Sequence, residues 1–154
     1  MAGVGLAVRA EVFGQVFVLA QHLTRRTNAE LEPLGLTTSQ WLLLAVISRH
    51  QGEAPTLSEA AATYGTSRQN VKQVARQLVD RGYLELRTDP ADARAIRLHP
   101  TAKVAESFDS PAAQQHEQRL FATIFEGLDA TDVAALGHLL GRWLGNLIPT
   151  GSAP

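Results

Sequence analysis

Five residues within one short stretch, Arg68, Gln69, Lys72, Gln73 and Arg76, are of the types that nucleic-acid binding needs. Arg and Lys neutralise phosphates, and Gln pairs bidentately with an adenine edge in the major groove, so one surface supplies both holding and reading groups. Their spacing is helical. In the stretch from Ser67 to Gly82, Val71, Val74, Ala75, Leu78 and Val79 recur at the i, i+3, i+4, i+7, i+8 spacing of a buried stripe, which leaves the five polar residues on the other face. Arg68, Lys72 and Arg76 follow one another at i, i+4, i+8 with no acid between them, and like charges so placed repel by about 0.2–0.5 kcal/mol per pair. A solvated surface helix interleaves acids with its bases. This stretch is therefore read as a DNA-recognition helix that begins at Ser67. Asn70, at the third helical position, suits either a base contact or the helix cap.

The charge distribution agrees. Residues 66–103 hold eight Arg and Lys against four Asp and Glu, while the other 116 residues hold six against eleven. The net charge of −1 conceals a local cationic surface.

Elements that must position this helix surround it in sequence. A capping-box pattern, Thr56-Leu-Ser-Glu59, opens a short helix through Ala60, Ala61 and Ala62 that stops at Tyr64-Gly65, and Ser67 then caps the recognition helix. Two short helices joined by a Gly-containing turn make a helix-turn-helix. After Gly82, the stretches 83–87 and 95–99 alternate apolar and polar residues with period two, and the residues between them are rich in turn formers. This is a β-hairpin wing. Its tip holds Asp92 and Arg94, and an Arg braced by a neighbouring carboxylate suits a narrow minor groove. Arg87 and Arg97 on the strands suit either phosphate contact or a solvated position.

Upstream, Val12, Phe13, Val16, Phe17, Ala20 and Leu23 mark a long amphipathic helix from about Leu6 to Glu32, closed by Pro33 and Gly35. Thr37-Thr-Ser-Gln40 has capping-box form and opens a helix, from Trp41 onward, apolar enough to be central and buried. Downstream, a helix from Thr101 is interrupted or kinked at Ser110-Pro111 and runs to Phe125. A last helix, capped by Asp129, bears the stripe Val133, Leu136, Leu140, Trp143, Leu144, Leu147. These terminal helices carry more apolar face than a lobe of about 65 residues covers, so they are expected to pack against a second copy. The fold class is mainly α with a small β-hairpin wing (α+β): a dimerisation helix over 6–36, a winged helix-turn-helix over 37–100, dimerisation helices over 101–148, and a disordered tail over 149–154.

The order of these elements, with Leu34-Gly-Leu-Thr37, Leu78-Val-Asp-Arg-Gly-Tyr-Leu84 and Asp89-Pro-Ala-Asp-Ala-Arg94, resembles the MarR family of bacterial transcriptional regulators over about residues 6 to 148. The resemblance implies a homodimer on a pseudo-palindromic double-stranded DNA operator, with each recognition helix in the major groove and each wing Arg in the adjacent minor groove. It further implies a ligand-responsive repressor, released by a small aromatic or phenolic effector. Two departures stand out: Pro100-Thr-Ala-Lys-Val104 replaces the family's Leu-Thr-x-x-Gly, and Pro111 breaks the helix that follows. Phe13, Phe17, His22, Arg26 and Trp41 are the candidate lining of an effector pocket, or else ordinary core.

Other classes find little support in the residues. Cysteine is absent, which excludes disulfides and thiolate chemistry within the chain. The His residues at 22, 50, 99, 116 and 138 show no metal-ligand spacing, and there is no phosphate-binding glycine loop or nucleophile elbow, so neither a metal, a cofactor nor an enzyme is expected. No apolar run approaches the roughly 18 residues of a membrane span and no signal-peptide pattern precedes the first helix, which points to the cytoplasm. The rival reading is a winged-helix protein-interaction module without DNA binding. Such a module would place apolar anchors where this helix has Arg, Gln and Lys.

Overall fold

A computed structural model describes residues 5–148, so the tail expected over 149–154 lies outside the described residues. It contains seven α-helices and one antiparallel hairpin among those residues, and the chain divides into two compact units at Trp41/Leu42.

The first unit is dominated by α1, Leu6–Leu31. A 3-10 turn, Glu32–Leu34, follows, and Gly35 closes it in the left-handed region (φ 65°), where a side chain would be strained. Thr37 and Gln40 then cap α2, Thr38–Arg49, reciprocally: the Thr37 N–H donates to Gln40 Oε1 (3.0 Å) and the Gln40 N–H to Thr37 Oγ1 (3.3 Å). Buried Thr38 donates its N–H to Asn28 Oδ1 at 2.7 Å and its hydroxyl to the Thr24 carbonyl at 3.1 Å, which clasps the start of α2 to α1.

The second unit is a winged helix-turn-helix followed by three helices. Leu43, Leu44 and Ile47 of α2 are buried, although Leu42 stays exposed, so α2 is less enclosed than its all-round apolar sequence suggests. The capping box of Thr56 and Glu59 opens α3, Leu57–Tyr64, and Gly65 (φ 75°) turns the chain into α4, Arg68–Asp80. Val71, Ala75 and Leu78 of α4 are fully buried, as the periodicity requires, against a core completed by Leu57, Ala60, Tyr83, Leu84 and Leu98, whereas Val79, expected in the same stripe, lies past its edge and is exposed. Gly82 (φ 80°) ends the helical stretch. Strands β1, Leu84–Thr88, and β2, Ile96–Pro100, pair antiparallel with Leu86 opposite Leu98 and Arg87 opposite Arg97. The root of β2 is fastened to the segment before α3 by the Leu98 N–H to the Pro55 carbonyl (2.9 Å) and a bridge between Thr56 and Arg97.

The expected break at Ser110-Pro111 is a full interruption, giving α5, Ala102–Phe108, and α6, Pro111–Ile124. Ser110 accepts the Ala113 N–H, and Pro111 occupies the first helical position, where a missing N–H costs nothing. Asp129 and Asp132 form a capping box that opens α7, Ala130–Leu147. No helix among the described residues is long and apolar enough to cross a membrane.

Candidate nucleic-acid interface

Helix α4 sorts its residues sharply by face. At roughly 100° per residue, Arg68, Gln69, Lys72, Gln73 and Arg76 fall within one arc of about 140°, opposite the buried Val71, Val74 and Leu78. All five are exposed, and their side chains make no hydrogen bond or ion pair among the described residues. They border a cleft of about 770 Å³ to which Leu57 of α3 and Ile96 of β2 contribute apolar walls, and Gln77 and Asp80 extend its rim. A charged, unpartnered row beside a cleft favours a polyanion over a neutral partner. At the helix start, Ser67 Oγ accepts the Asn70 N–H at 3.1 Å, and the open end of the macrodipole adds partial positive charge there. Asn70 itself is engaged: its Nδ2 donates to Thr66 Oγ1 at 2.9 Å, so its side chain serves the turn before the helix.

The wing differs from expectation in one respect and exceeds it in another. Arg94 is exposed at the hairpin tip and its guanidinium has no partner among the described residues. Asp92 does not brace that guanidinium: its carboxylate accepts the backbone N–H of Arg94 at 2.9 Å. An Asp two residues before an N–H closes a local turn more readily than it reaches a long, solvated side chain. Arg87 is paired with Glu85 on its own strand at 2.7 Å and remains exposed, open to a phosphate.

Arg97 is neither solvated nor free. Its guanidinium donates to Asp89 Oδ2 and to the Ala54 carbonyl (2.7 Å) and pairs with Glu53 (3.0 Å); its side chain is 19% exposed and that of Asp89 only 7%. Asp89 also accepts the Ala91 N–H at 2.7 Å, and this bond, with help from Arg97, holds its carboxyl below the usual carboxylate range against the opposing effect of burial. Writing out the hairpin register would have brought Asp89 and Arg97 together. Glu53 and Ala54 lie more than forty positions away, and no local signal announces them.

The other end of α4 is tied to α5. Thr101 Oγ1 donates to the Gly82 carbonyl at 2.6 Å, Lys103 Nζ donates to the Arg81 carbonyl at 2.7 Å, and the same ammonium sits 4.5 Å from the centroid of the Tyr83 ring. Thr101 thus stands at the N-cap position of α5 without capping it, its hydroxyl donating instead to the Gly82 carbonyl.

The five candidate effector residues do not form one site within a chain. Phe13 and Phe17 stack edge-to-face at 5.0 Å, both more than half exposed, but His22 lies nine residues beyond Phe13, roughly 180° around α1. Arg26, on the side of His22, pairs with Glu30 at 3.2 Å, and Trp41 is half-buried at the start of α2. Grouping them by chemistry overlooked their helical angle. Among the described residues no three His, Asp or Glu side chains cluster as metal ligands.

Comparison with known proteins bears on this geometry. The MarR family model matches residues 34–95. The chain is 38% identical over 81 residues to an uncharacterized protein of Mycobacterium tuberculosis, an alignment spanning 53% of this chain and 54% of the relative, so the chain spans about half the length of that curated relative. It is 24% identical over 125 residues to the transcriptional repressor MprA of Escherichia coli, covering 81% of this chain and 70% of that protein. A MarR protein from Peptoclostridium difficile superposes with a TM-score of 0.76 at 18% identity, over 96% of this chain and 91% of that one, which establishes the likeness of fold.

Proposed function

Because residues 34–95 match the MarR family model, we propose that this chain is a sequence-specific DNA-binding transcriptional regulator of that family that acts as a repressor in the cytoplasm. The observation that carries the reading is the α4 face: five exposed side chains of holding and reading type, all unpartnered among the described residues, with the unpartnered Arg94 at the tip of the adjoining wing. Residues 37–100 form the reading domain, in which Ser67, Arg68, Gln69, Lys72, Gln73, Arg76, Arg87 and Arg94 face DNA, while Asn70 and Asp92 shape the backbone beneath them. The similarity to MprA, a transcriptional repressor, supports the direction of regulation.

The chain works as a homodimer through 6–36 and 101–148. Phe13 and Phe17 on α1 and Leu139, Leu144 and Leu147 on α7 are each more than half exposed, more apolar surface than an isolated subunit ordinarily leaves in water. Two-fold symmetry then sets the operator as an inverted repeat with half-site centres about 10 bp apart. Selection of duplexes from a random-sequence pool by the full chain, followed by sedimentation of free and bound protein, tests both statements. Recovery of an inverted repeat by a dimer is expected; recovery of no sequence above background, or a monomer at micromolar concentration, contradicts them.

Ligand response is the finer part of the reading. A small aromatic or phenolic effector docking near Arg26 and Trp41 must prefer the non-binding arrangement of the two reading heads, since equal affinity for both shifts nothing. Aromatic acids and phenols are expected to lower operator affinity and quench Trp41 fluorescence over one concentration range, with Trp41→Phe as the control for Trp143.

A further inference from the structure

Arg97 has the wrong surroundings for a phosphate contact. The residues suited to that role, Arg68, Lys72 and Arg76, are exposed and unpartnered, whereas Arg97 is largely buried and its charge is offset by Asp89 and Glu53. What its guanidinium joins is more informative than its charge. Asp89 accepts the Ala91 N–H, and its own N–H donates to the Ala95 carbonyl, so it organises the turn that carries Arg94. Ala54 lies in the loop that leads into Thr56, the cap of α3, and α3 packs on α4. One planar guanidinium therefore spans from the wing turn to the root of the helix-turn-helix. A two-stranded hairpin is marginal by itself, and here its backbone ties to the head, at Pro55 and Thr56, lie opposite Leu98 and Arg97 rather than at the tip.

We propose that Arg97 is a positioning residue for Arg94: by locking the wing turn to the loop before α3, it fixes where the exposed wing arginine stands relative to the recognition helix. This rests on the DNA-binding reading above. The fork geometry is essential, because a lysine keeps the charge but presents a single ammonium that does not span acceptors on both sides at once. Glu53 is the minor partner, since its side chain is 80% exposed and such pairs contribute little.

The test is a double-mutant cycle with Arg94→Ala and Arg97→Lys, measured on a duplex that the full wild-type chain recovers from a random-sequence pool, with A·T-rich flanks retained. Arg97→Lys is expected to weaken binding about tenfold, in the range of losing one good contact. Arg94→Ala weakens it at least as much, and the double variant binds within about twofold of Arg94→Ala, because Arg97 acts only through Arg94. In the DNA-free protein, amides of residues 91–98 in Arg97→Lys should exchange faster while those of α4 keep their protection. Losses that multiply in the double variant, or an Arg97→Lys protein that binds like wild type, overturn the proposal while the DNA-binding reading stands. A wild-type chain that recovers no duplex overturns both. Should Arg97→Lys fail to fold, Asp89→Asn removes the same tie while keeping an acceptor for Ala91, and it must give the same non-additivity with Arg94→Ala.

Discussion

Lys103 donates its ammonium to the carbonyl of Arg81 at 2.7 Å, so the first turn of α5 caps the last turn of the recognition helix. A cation there meets the negative end of the α4 macrodipole and satisfies a carbonyl that the helix leaves open. Lys103→Ala is expected to destabilise the protein by about 1 kcal/mol, the usual scale for a charge at a helix terminus. Lys103→Arg should restore most of it. Urea unfolding monitored by circular dichroism reads the difference, and an unchanged midpoint for the Ala variant would show that water replaces the ammonium without loss.

Holding and reading separate by salt. Gln69→Ala or Gln73→Ala should lower the preference for operator over random DNA by about 1–3 kcal/mol and leave the slope of log K against log salt nearly unchanged. Arg76→Ala should weaken both DNAs alike and shallow that slope by about one unit per subunit. Anisotropy titrations at several salt concentrations decide it, and a Gln variant that moves only the slope would mean that the other edge of the α4 face meets the bases.

Ser67 and Asn70 are both engaged at the helix start. Ser67→Ala should cost about 1 kcal/mol of stability through the lost cap. Asn70→Ala should cost less, because only the bond to Thr66 goes. In both variants the ratio of operator to random-DNA affinity is expected to hold; a collapse of that ratio for Asn70→Ala would place its amide on a base.

Acid sensitivity should trace to two carboxylates that stay ionised below the ordinary carboxyl range. The Thr56 N–H holds the Glu59 carboxyl below its ordinary value, and the Ala91 N–H, followed by Arg97, does the same for Asp89. For a folded pKa lower than the unfolded one, the stabilisation is complete above the unfolded value and is lost as pH falls through the folded value. Stability measured in urea is therefore expected to be flat from pH 7 to about 5 and to fall below about 4, the ordinary carboxyl range. Asp89→Asn and Glu59→Gln should each be less stable than wild type at pH 7 and lose less on acidification. Parallel acid limbs for wild type and both variants would remove these two groups from the explanation.

Features that depend on a few neighbouring residues were the legible ones. The capping boxes at Thr37/Gln40 and Thr56/Glu59, the Ser67 cap and the left-handed turns at Gly65 and Gly82 all appear where residue type and spacing placed them. The buried stripe of α4 and the alternating wing strands are equally local, and together they determine the reading face. Asp92 was misassigned because a carboxylate near an arginine in sequence has two ways to be satisfied, and the nearer one, the backbone, won. The grouping of Phe13 with His22 failed on helix angle alone. The Arg97 cluster was hidden for a different reason. Its partners come from the wing turn and from a loop forty-three residues earlier, so it exists only once the second unit has closed.

Arg87 faces Arg97 across the wing, and each is neutralised by an acid of its own, Glu85 for the first and Asp89 for the second. This constrains how the wing can change over generations. Glu85 is exposed and its arginine can turn to water, so drift there is nearly free. Losing Asp89 would leave the largely buried Arg97 with only the exposed Glu53 as its acid. Losing Arg97 would strand the buried Asp89 carboxylate in turn, so descendants of this chain should keep or lose Asp89 and Arg97 together, while Glu85 changes alone.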